Sequence, residues 1–218
     1  MKLALFDLDR TLIPFDSGMA WTRFLVARGV LPPDFEAIYL DGCQRYVAGS
    51  IDIRQLHRLS VAPLACYALP ALRQWAAEFE RQMAPQLPEA MRALMRQHQD
   101  AGHLCAIVTA TTDLIAEPFG RLFGIEHVLC TQAQEVDGAL TGEIVGEPCH
   151  GAGKLQRVNH WLSERGTSLA AFESSWFYSD SASDLPLLRA VTDPVAVAPD
   201  PALRAEAGRC GWPIMERV

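Results

Sequence analysis

The sequence predicts an α/β protein, a doubly wound and mostly parallel sheet with a block of helices inserted after its first strand. Three observations carry this reading. From Pro88 onward, short apolar runs alternate with segments whose apolar residues recur at helical spacing. The first apolar run, residues 2–8, stands apart from the rest and closes on acidic residues. Between the two, from about Pro14 to Pro85, only helical patterns occur.

Taken in order, residues 2–8 read as a strand ending on Asp7-Leu8-Asp9. In the following block, Leu25, Val26 and Val30, then Ile38, Leu40 and Tyr46, recur near the helical period, with breaks at Pro32-Pro33, Gly49 and Pro70. The stripe Trp21, Phe24 and Leu25 reads as the apolar core of this block. Residues 88–99 predict a helix with Ala90, Met91, Leu94 and Met95 on one face and Gly102 behind its end. Residues 104–108 predict a buried strand, 111–123 a helix and 128–131 a short strand. Asp137-Gly138 signals a hairpin turn. Residues 153–165 predict a helix, 176–179 a strand, 184–190 a helix and 194–198 a strand. The expected organisation is a core domain of residues 1–13 and 86–218, with a helical cap over residues 14–85. That is roughly 70 residues, a compact size for a helical subdomain.

Composition excludes several classes. Of the 218 residues 50% are apolar and 21% charged, which removes disordered, collagenous and coiled-coil readings. Nineteen Lys and Arg against 26 Asp and Glu give a formal charge of −7, without the basic footprint expected of a nucleic-acid binder. No apolar run reaches the length of a membrane span. The opening MKLALFDLDRTL has charge by position 7 and no apolar stretch beyond it, unlike a secretory signal. Six cysteines without any C-x-x-C read as reduced thiols, so the expectation is a cytoplasmic protein without nucleic-acid or membrane partners. The sequence carries no sign of its oligomeric state.

Chemistry concentrates where strands end or helices begin: Asp7-Leu8-Asp9-Arg10-Thr11, Thr109, Lys154, and Ser-Asp-Ser-Ala-Ser-Asp at 179–184. In a doubly wound sheet these converge on one rim. Carboxylates crowded there repel one another unless a cation sits among them, and oxygen-only ligands favour a hard ion, Mg²⁺ above all. A lysine and a threonine hydroxyl can then hold phosphoryl oxygens.

This set of residues resembles the haloacid dehalogenase superfamily of phosphohydrolases, and within it the phosphoserine-phosphatase-like branch. The D-x-D-x-T of Asp7, Asp9 and Thr11, then Thr109, Lys154 and the pair Asp180 and Asp184 match its four motifs in order, and the resemblance spans nearly the whole chain. It implies that Asp7 is the nucleophile and that Asp9 is the general acid and then base. It implies Mg²⁺ held by Asp7, the Asp9 carbonyl and Asp180, with Asp184 close by. Thr11, Thr109, Lys154 and Ser183 would contact phosphate or support its site. Serines stand at 179, 181 and 183, where relatives often have Gly, Gly and Asn.

For substrate, the resemblance implies an acidic residue, here Asp16, that meets an amine, and a cap arginine that meets a carboxylate. Aligning the cap puts Ser60 at the basic position, with Arg58 two residues earlier. The expectation is therefore a small phosphorylated metabolite with an amine but no required carboxylate, histidinol phosphate first. Phosphoserine is the alternative if Arg58 reaches the site.

Simpler readings compete. Asp9 and Thr11 alone would suit a helix cap, as would Asp184, and Lys154 alone would suit a solvated helix. Gly151-Ala152-Gly153-Lys154 imitates a phosphate loop but has Pro148 and Leu155 where that pattern needs Gly and Ser or Thr. Cys149-His150 reads as a plain loop pair; for His57 and Arg58 of the cap, surface placement is the default and a substrate role the alternative. A phospho-accepting signalling domain would carry its acidic pair before the phosphorylated strand and lack the insert. A non-catalytic binding module would have lost motif residues.

Overall fold

The computed structural model describes residues 1–216. Strand β1 (Lys2–Phe6) is followed by helices α1 (Ser17–Ala27), α2 (Phe35–Val47), α3 (Ile53–Val61) and α4 (Leu69–Met83). Next come α5 (Glu89–Asp100), β2 (Leu104–Thr112), α6 (Asp113–Phe123), and the strands β3 (His127–Val136) and β4 (Ala139–Val145). The chain closes with α7 (Ala152–Ser163), β5 (Ser174–Ser179), the single turn α8 (Leu185–Leu188), β6 (Asp193–Val197), α9 (Pro201–Cys210) and β7 (Ile214–Met215). Among the described residues the strands form one sheet in the order β4-β3-β2-β1-β5-β6-β7, and every pair is parallel except β3 with β4. The chain winds outward from β1 through β2 and β3, then returns to β5 on β1's other side. Such a reversal opens a crevice at the carboxyl ends of the central strands.

Both faces of the sheet are covered, which is why its central strands read as continuous apolar runs. Ala4 and Phe6 of β1 join an apolar cluster with α1, α4, α5 and α6, while Leu3 and Leu5 join another with α7, α8 and α9. The alternation follows from the two-residue period of a strand. The inserted helices share the first cluster with the sheet. Trp21 stacks on Phe24 with ring centroids 5.4 Å apart, both pack on Phe79, and Phe79 meets Phe119 of α6 edge-on at 5.9 Å. The stripe expected to be core is core.

Local signals set the helix ends. Asp16 caps α1 by accepting from the Met19 N–H at 2.8 Å. Asp52 and Gln55 form a reciprocal capping box that fixes the start of α3. Arg54 and Arg58, four residues apart on α3, reach the β3–β4 hairpin. Arg58 makes a two-pronged pair with Glu143 at 2.7 and 2.9 Å, and Arg54 donates to the Gly146 carbonyl and to Glu147. The hairpin turns at Asp137 (φ 50°) and Gly138 (φ 78°), both left-handed as a two-residue turn of this type needs.

Several boundaries differ from the expectation. The strand expected at 104–108 runs on to Thr112, so Thr109 lies inside β2 and α6 starts at Asp113. The threonines favour extended backbone, and the register with β3 shifts between Val108 and Thr112. The strand expected at 128–131 is a ten-residue arm, lengthened by its pairing with β4. In place of a helix over 184–190 there is a 3₁₀ turn, Ala182–Asp184, and then the four residues of α8. Helix α9 and edge strand β7 were not anticipated. No helix among the described residues is long and apolar enough to cross a membrane.

Candidate active site

Strand β1 delivers Asp7 to the crevice, its N–H bonded to the Tyr178 carbonyl at 2.9 Å. The chain then doubles back. Arg10 adopts a left-handed φ of 57°, and the Thr11 and Ile13 N–H groups donate to the Leu8 carbonyl. A positive φ at a long side chain is costly and persists where surroundings enforce it. The turn brings Thr11 Oγ1 to donate to Asp7 Oδ2 at 3.0 Å, with a longer contact to Asp180 Oδ1 at 3.4 Å.

Lys154 comes from the first turn of α7. Its Nζ donates to Asp7 Oδ1 at 2.6 Å and to Asp184 Oδ2 at 2.7 Å, and Ser179 Oγ donates to that same Asp184 oxygen at 2.6 Å. Lys154 is 3% exposed and Asp184 1%. Burial alone disfavours the ammonium, but Asp184 and Asp7 outweigh it and hold the Lys154 pKa well above the ordinary lysine value. The lysine is therefore a fixed cation. Gly153 lets this helix start where it does, because a Cβ there would lie 2.2 Å from the Pro148 carbonyl oxygen. Asp184 makes no capping bond, so the capping alternative fails for it.

Asp9 points toward the inserted helices. Its Oδ1 accepts from the Ser17 N–H at 2.5 Å and its Oδ2 from Thr111 Oγ1 at 2.7 Å, while Ser17 Oγ and Thr111 Oγ1 share a bond at 3.0 Å. Burial first, and the neighbouring Asp16 next, push the Asp9 carboxyl up to about 7. A carboxyl with that affinity can hold or release a proton near neutral pH, which general acid–base chemistry requires. Asp180 is pushed up to about 7 as well, by burial and then by the charge of Asp7.

Two cavities meet at Asp9. One, of about 170 Å³, is walled by Asp7, Thr109, Lys154, Asp180, Ser183 and Asp184 among others. The second, of about 230 Å³, lies under the inserted helices, with Tyr39, Tyr46, Ile53, Leu56 and His57 in its wall. Asp9, Arg10, Asp16, Ala110 and His150 line both. Gly18 also borders the second cavity, and a Cβ there would strike the Tyr39 hydroxyl at 2.1 Å.

The donor set suits a hard cation. Asp7 and Asp180 carry oxygens within reach of one threonine hydroxyl, and Asp184 Oδ1 is buried without a hydrogen-bond partner. Among the described residues no three His, Cys, Asp or Glu gather as a self-sufficient metal cluster. A site of two carboxylates and a backbone carbonyl, completed by phosphate and water, fits that observation and fits magnesium.

Of the residues singled out in the sequence, Asp7, Asp9, Asp16, Thr109, Lys154, Asp180, Ser183 and Asp184 line the phosphate-sized cavity, and Thr11 supports it from below. Ser183 shares a bond with Ser181 Oγ at 3.0 Å, and Thr109 Oγ1 accepts from the Thr111 N–H at 3.2 Å. Arg58 is the exception. Its side chain is 57% exposed and paired with Glu143, outside both cavities, because the capping box and the hairpin turn that face of α3 outward. Two expectations are reversed. His57 is buried, 7% exposed, and His150 stands between the cavities with its Nε2 2.6 Å from the Tyr46 hydroxyl. Cys149 is the packed loop residue expected, its Sγ donating to the Leu129 carbonyl. Sequence reasoning missed Ser17, Thr111, Tyr39 and Tyr46 as site residues, and named Ser179 without its bond to Asp184. Thr111 had a signal, since two residues past Thr109 on a strand it shares that residue's face.

The family model for haloacid dehalogenase-like hydrolases matches residues 4–189. A histidinol-phosphatase of Neisseria meningitidis is 39% identical over 98% of both chains. A phosphoserine phosphatase of Mycobacterium tuberculosis is 31% identical over 98% of this chain and 70% of its own length. A crystal structure of a protein of unknown function from Bordetella pertussis matches with a TM-score of 0.93 and 40% identity, over 98% of this chain and 97% of the other. A substrate-bound phosphoserine phosphatase shares the fold, with a TM-score of 0.71 and 18% identity over 99% of this chain and 93% of that one. By the match along its length and by these relatives, the chain belongs to the haloacid dehalogenase-like hydrolase family.

Proposed function

We propose that this phosphatase is a magnesium-dependent phosphomonoesterase that works through an aspartyl-phosphate on Asp7, with histidinol phosphate as its substrate. The observation that carries the reading is the position of Asp9. It stands between a cavity floored by Asp7 and Lys154 and a second cavity under the helices, where a leaving group has room. In this reading residues 14–85 act as the cap over a core of residues 1–13 and 86–218.

Asp7 attacks phosphorus as the P–O bond to the alcohol breaks. Asp9 gives its proton to the departing oxygen. The same carboxylate then takes a proton from water, which attacks the phosphorus of the aspartyl-phosphate and frees Asp7 and inorganic phosphate. Lys154, with Thr109 and Ser183 around the cavity, balances charge on the phosphoryl oxygens, and Lys154 and Thr11 keep Asp7 aimed. Asp7, the Asp9 backbone carbonyl and Asp180 would hold magnesium, which when bound supplies positive charge against the phosphate dianion.

The substrate reading rests on which charges face the second cavity. Asp16 there suits a cationic amine, Arg10 stands at the passage to the phosphate cavity, and Arg58, the cap arginine that phosphoserine would need, is engaged with Glu143. The Neisseria relative, histidinol-phosphatase by name and matched end to end, supports the same choice. We further propose that the enzyme acts in the cytoplasm on the free metabolite, without nucleic-acid or membrane partners. The test is a panel of phosphorylated metabolites assayed at fixed Mg²⁺. Histidinol phosphate should give the highest kcat/KM, and chelation should abolish turnover until Mg²⁺ is restored. A large advantage for phosphoserine, lost in Arg58→Ala, would overturn the substrate, and full turnover after exhaustive chelation would overturn the metal.

A further inference from the structure

We propose that His57 reads the far end of the leaving group, exchanging a hydrogen bond with a nitrogen of an uncharged heteroaromatic ring. The proposal rests on the reading above, that the cavity under the helices takes the leaving alcohol, and it assigns the specificity to one residue.

The position of His57 follows from how α3 is held. Arg54 and Arg58 on one side of the helix are fixed to the β3–β4 hairpin. That leaves Ile53, Leu56, His57 and Ser60 to line the cavity. The same rotation that carries Arg58 away from the site carries His57 into its wall. The imidazole is 7% exposed, and its Nε2 is buried without a hydrogen-bond partner. A buried polar nitrogen left unpaired is costly, and such a group in a cavity wall is a ready partner for a ligand. Ser60 does not relieve it, because the serine hydroxyl bonds to the backbone carbonyls of Leu56 and His57.

Charge and shape narrow what His57 can meet. Burial, with His150 and Arg54 nearby, pushes its pKa down to about 4, so the ring is neutral at physiological pH and offers one donor and one acceptor. A carboxylate would gain little from a neutral ring, and the cation in the same lining, Arg10, stands at the passage to the phosphate cavity. Tyr39, Tyr46, Ile53 and Leu56 give the wall flat and apolar surfaces that suit a planar ring. An imidazole or similar azole has the complementary pair of ring nitrogens, while its amine-bearing end lies toward Asp16.

The experiment compares histidinol phosphate with phosphoethanolamine, which has the amine and the phosphate but no ring. Both are assayed with the wild-type enzyme, His57→Leu and His57→Gln. The proposal expects the wild type to prefer histidinol phosphate and His57→Leu to lower kcat/KM for it by about 30-fold, mainly through KM. Phosphoethanolamine should change by less than about twofold in the same variant, which also reports that the variant is folded, and His57→Gln should recover much of the loss. A wild-type preference that survives in His57→Leu, or an equal loss on both substrates, would overturn the role of His57 alone. A wild type with no preference for the ring would overturn the substrate reading, and the role of His57 with it.

Discussion

On the core side of the site, Lys154 lies 2.6 Å from Asp7 and 2.7 Å from Asp184, Ser179 closes on Asp184 at 2.6 Å, and Thr11 closes on Asp7 at 3.0 Å. On the side of the inserted helices, His57 Nε2 has no partner, and the cavity wall joins residues from three of those helices with others from β2 and α6. The first region is an almost fully bonded ionic network in which each group holds the next in place. The second is a chamber held open, with the His57 ring nitrogen left for something else to satisfy, whereas the unpaired atom of the first, Asp184 Oδ1, lies beside the carboxylates suited to a cation. A network of the first kind suits a reaction common to every substrate. A chamber of the second kind suits a choice among substrates. Asp9 belongs to both, anchored by Ser17 and Thr111 and bordering both spaces.

Substitutions can break this division. The largest effect is expected on the core side, where Asp7→Asn should lower kcat by at least about 10⁴-fold on every substrate while the fold survives, because an amide of the same shape is a poor nucleophile. Steady-state assays with circular dichroism check this, and near-normal turnover would refute it.

The next effect is on stability against pH, and it belongs to the chamber. His57 has a folded pKa of about 4 against an ordinary 6.5. Above pH 6.5 the ring is neutral folded and unfolded. As pH falls below 6.5 the unfolded chain takes up a proton that the folded protein refuses until about pH 4. Stability should therefore be lost across that window, by up to about 3 kcal/mol from this group. Urea unfolding of wild type and His57→Gln at pH 7 and pH 4.5 isolates it: the variant should lose less between the two pH values, and parallel losses would contradict the assignment.

A smaller effect sharpens the boundary between the regions. Thr111→Val keeps the shape but removes the hydroxyl that Asp9 Oδ2 accepts from. About a tenfold fall in kcat, equal for histidinol phosphate and phosphoethanolamine, whose alkoxide leaving groups both need the Asp9 proton, is expected if the contact serves the chemistry. A loss confined to one substrate would move Thr111 to the chamber. Smallest of all, Arg58→Ala removes an exposed ion pair and should change stability by under about 1 kcal/mol and kcat/KM by under twofold. A tenfold loss of kcat/KM would return Arg58 to the site.

The same division decides what could be read in the sequence. Asp7 and Asp180 were legible because apolar strands announce themselves by composition and the residues just past their carboxyl ends share a rim, while Thr109 and Lys154 were legible by their place in the same ordered set of motifs. The inserted block was legible as helices but not as a surface. Whether α3 turns Arg58 or His57 inward depends on Glu143 and Gly146, nearly ninety positions away along the chain. Its own apolar pattern says nothing of those partners. His150 escapes a local reading for a similar reason, since its partner is Tyr46, 104 positions away along the chain. The long β3–β4 arm was foreshortened because pairing partners, more than propensity, set how far a strand runs.

The central claim is that one phosphoenzyme on Asp7 serves all substrates while the chamber governs only how fast it forms. Rapid-quench kinetics with histidinol phosphate and p-nitrophenyl phosphate, with peptide mapping of the trapped acyl phosphate, tests it most directly. The account predicts acid-stable, hydroxylamine-labile phosphate on Asp7 from both substrates, formed at different rates and hydrolysed at the same rate. Hydrolysis rates that differ with the alcohol that has left, or phosphate on another residue, would contradict it.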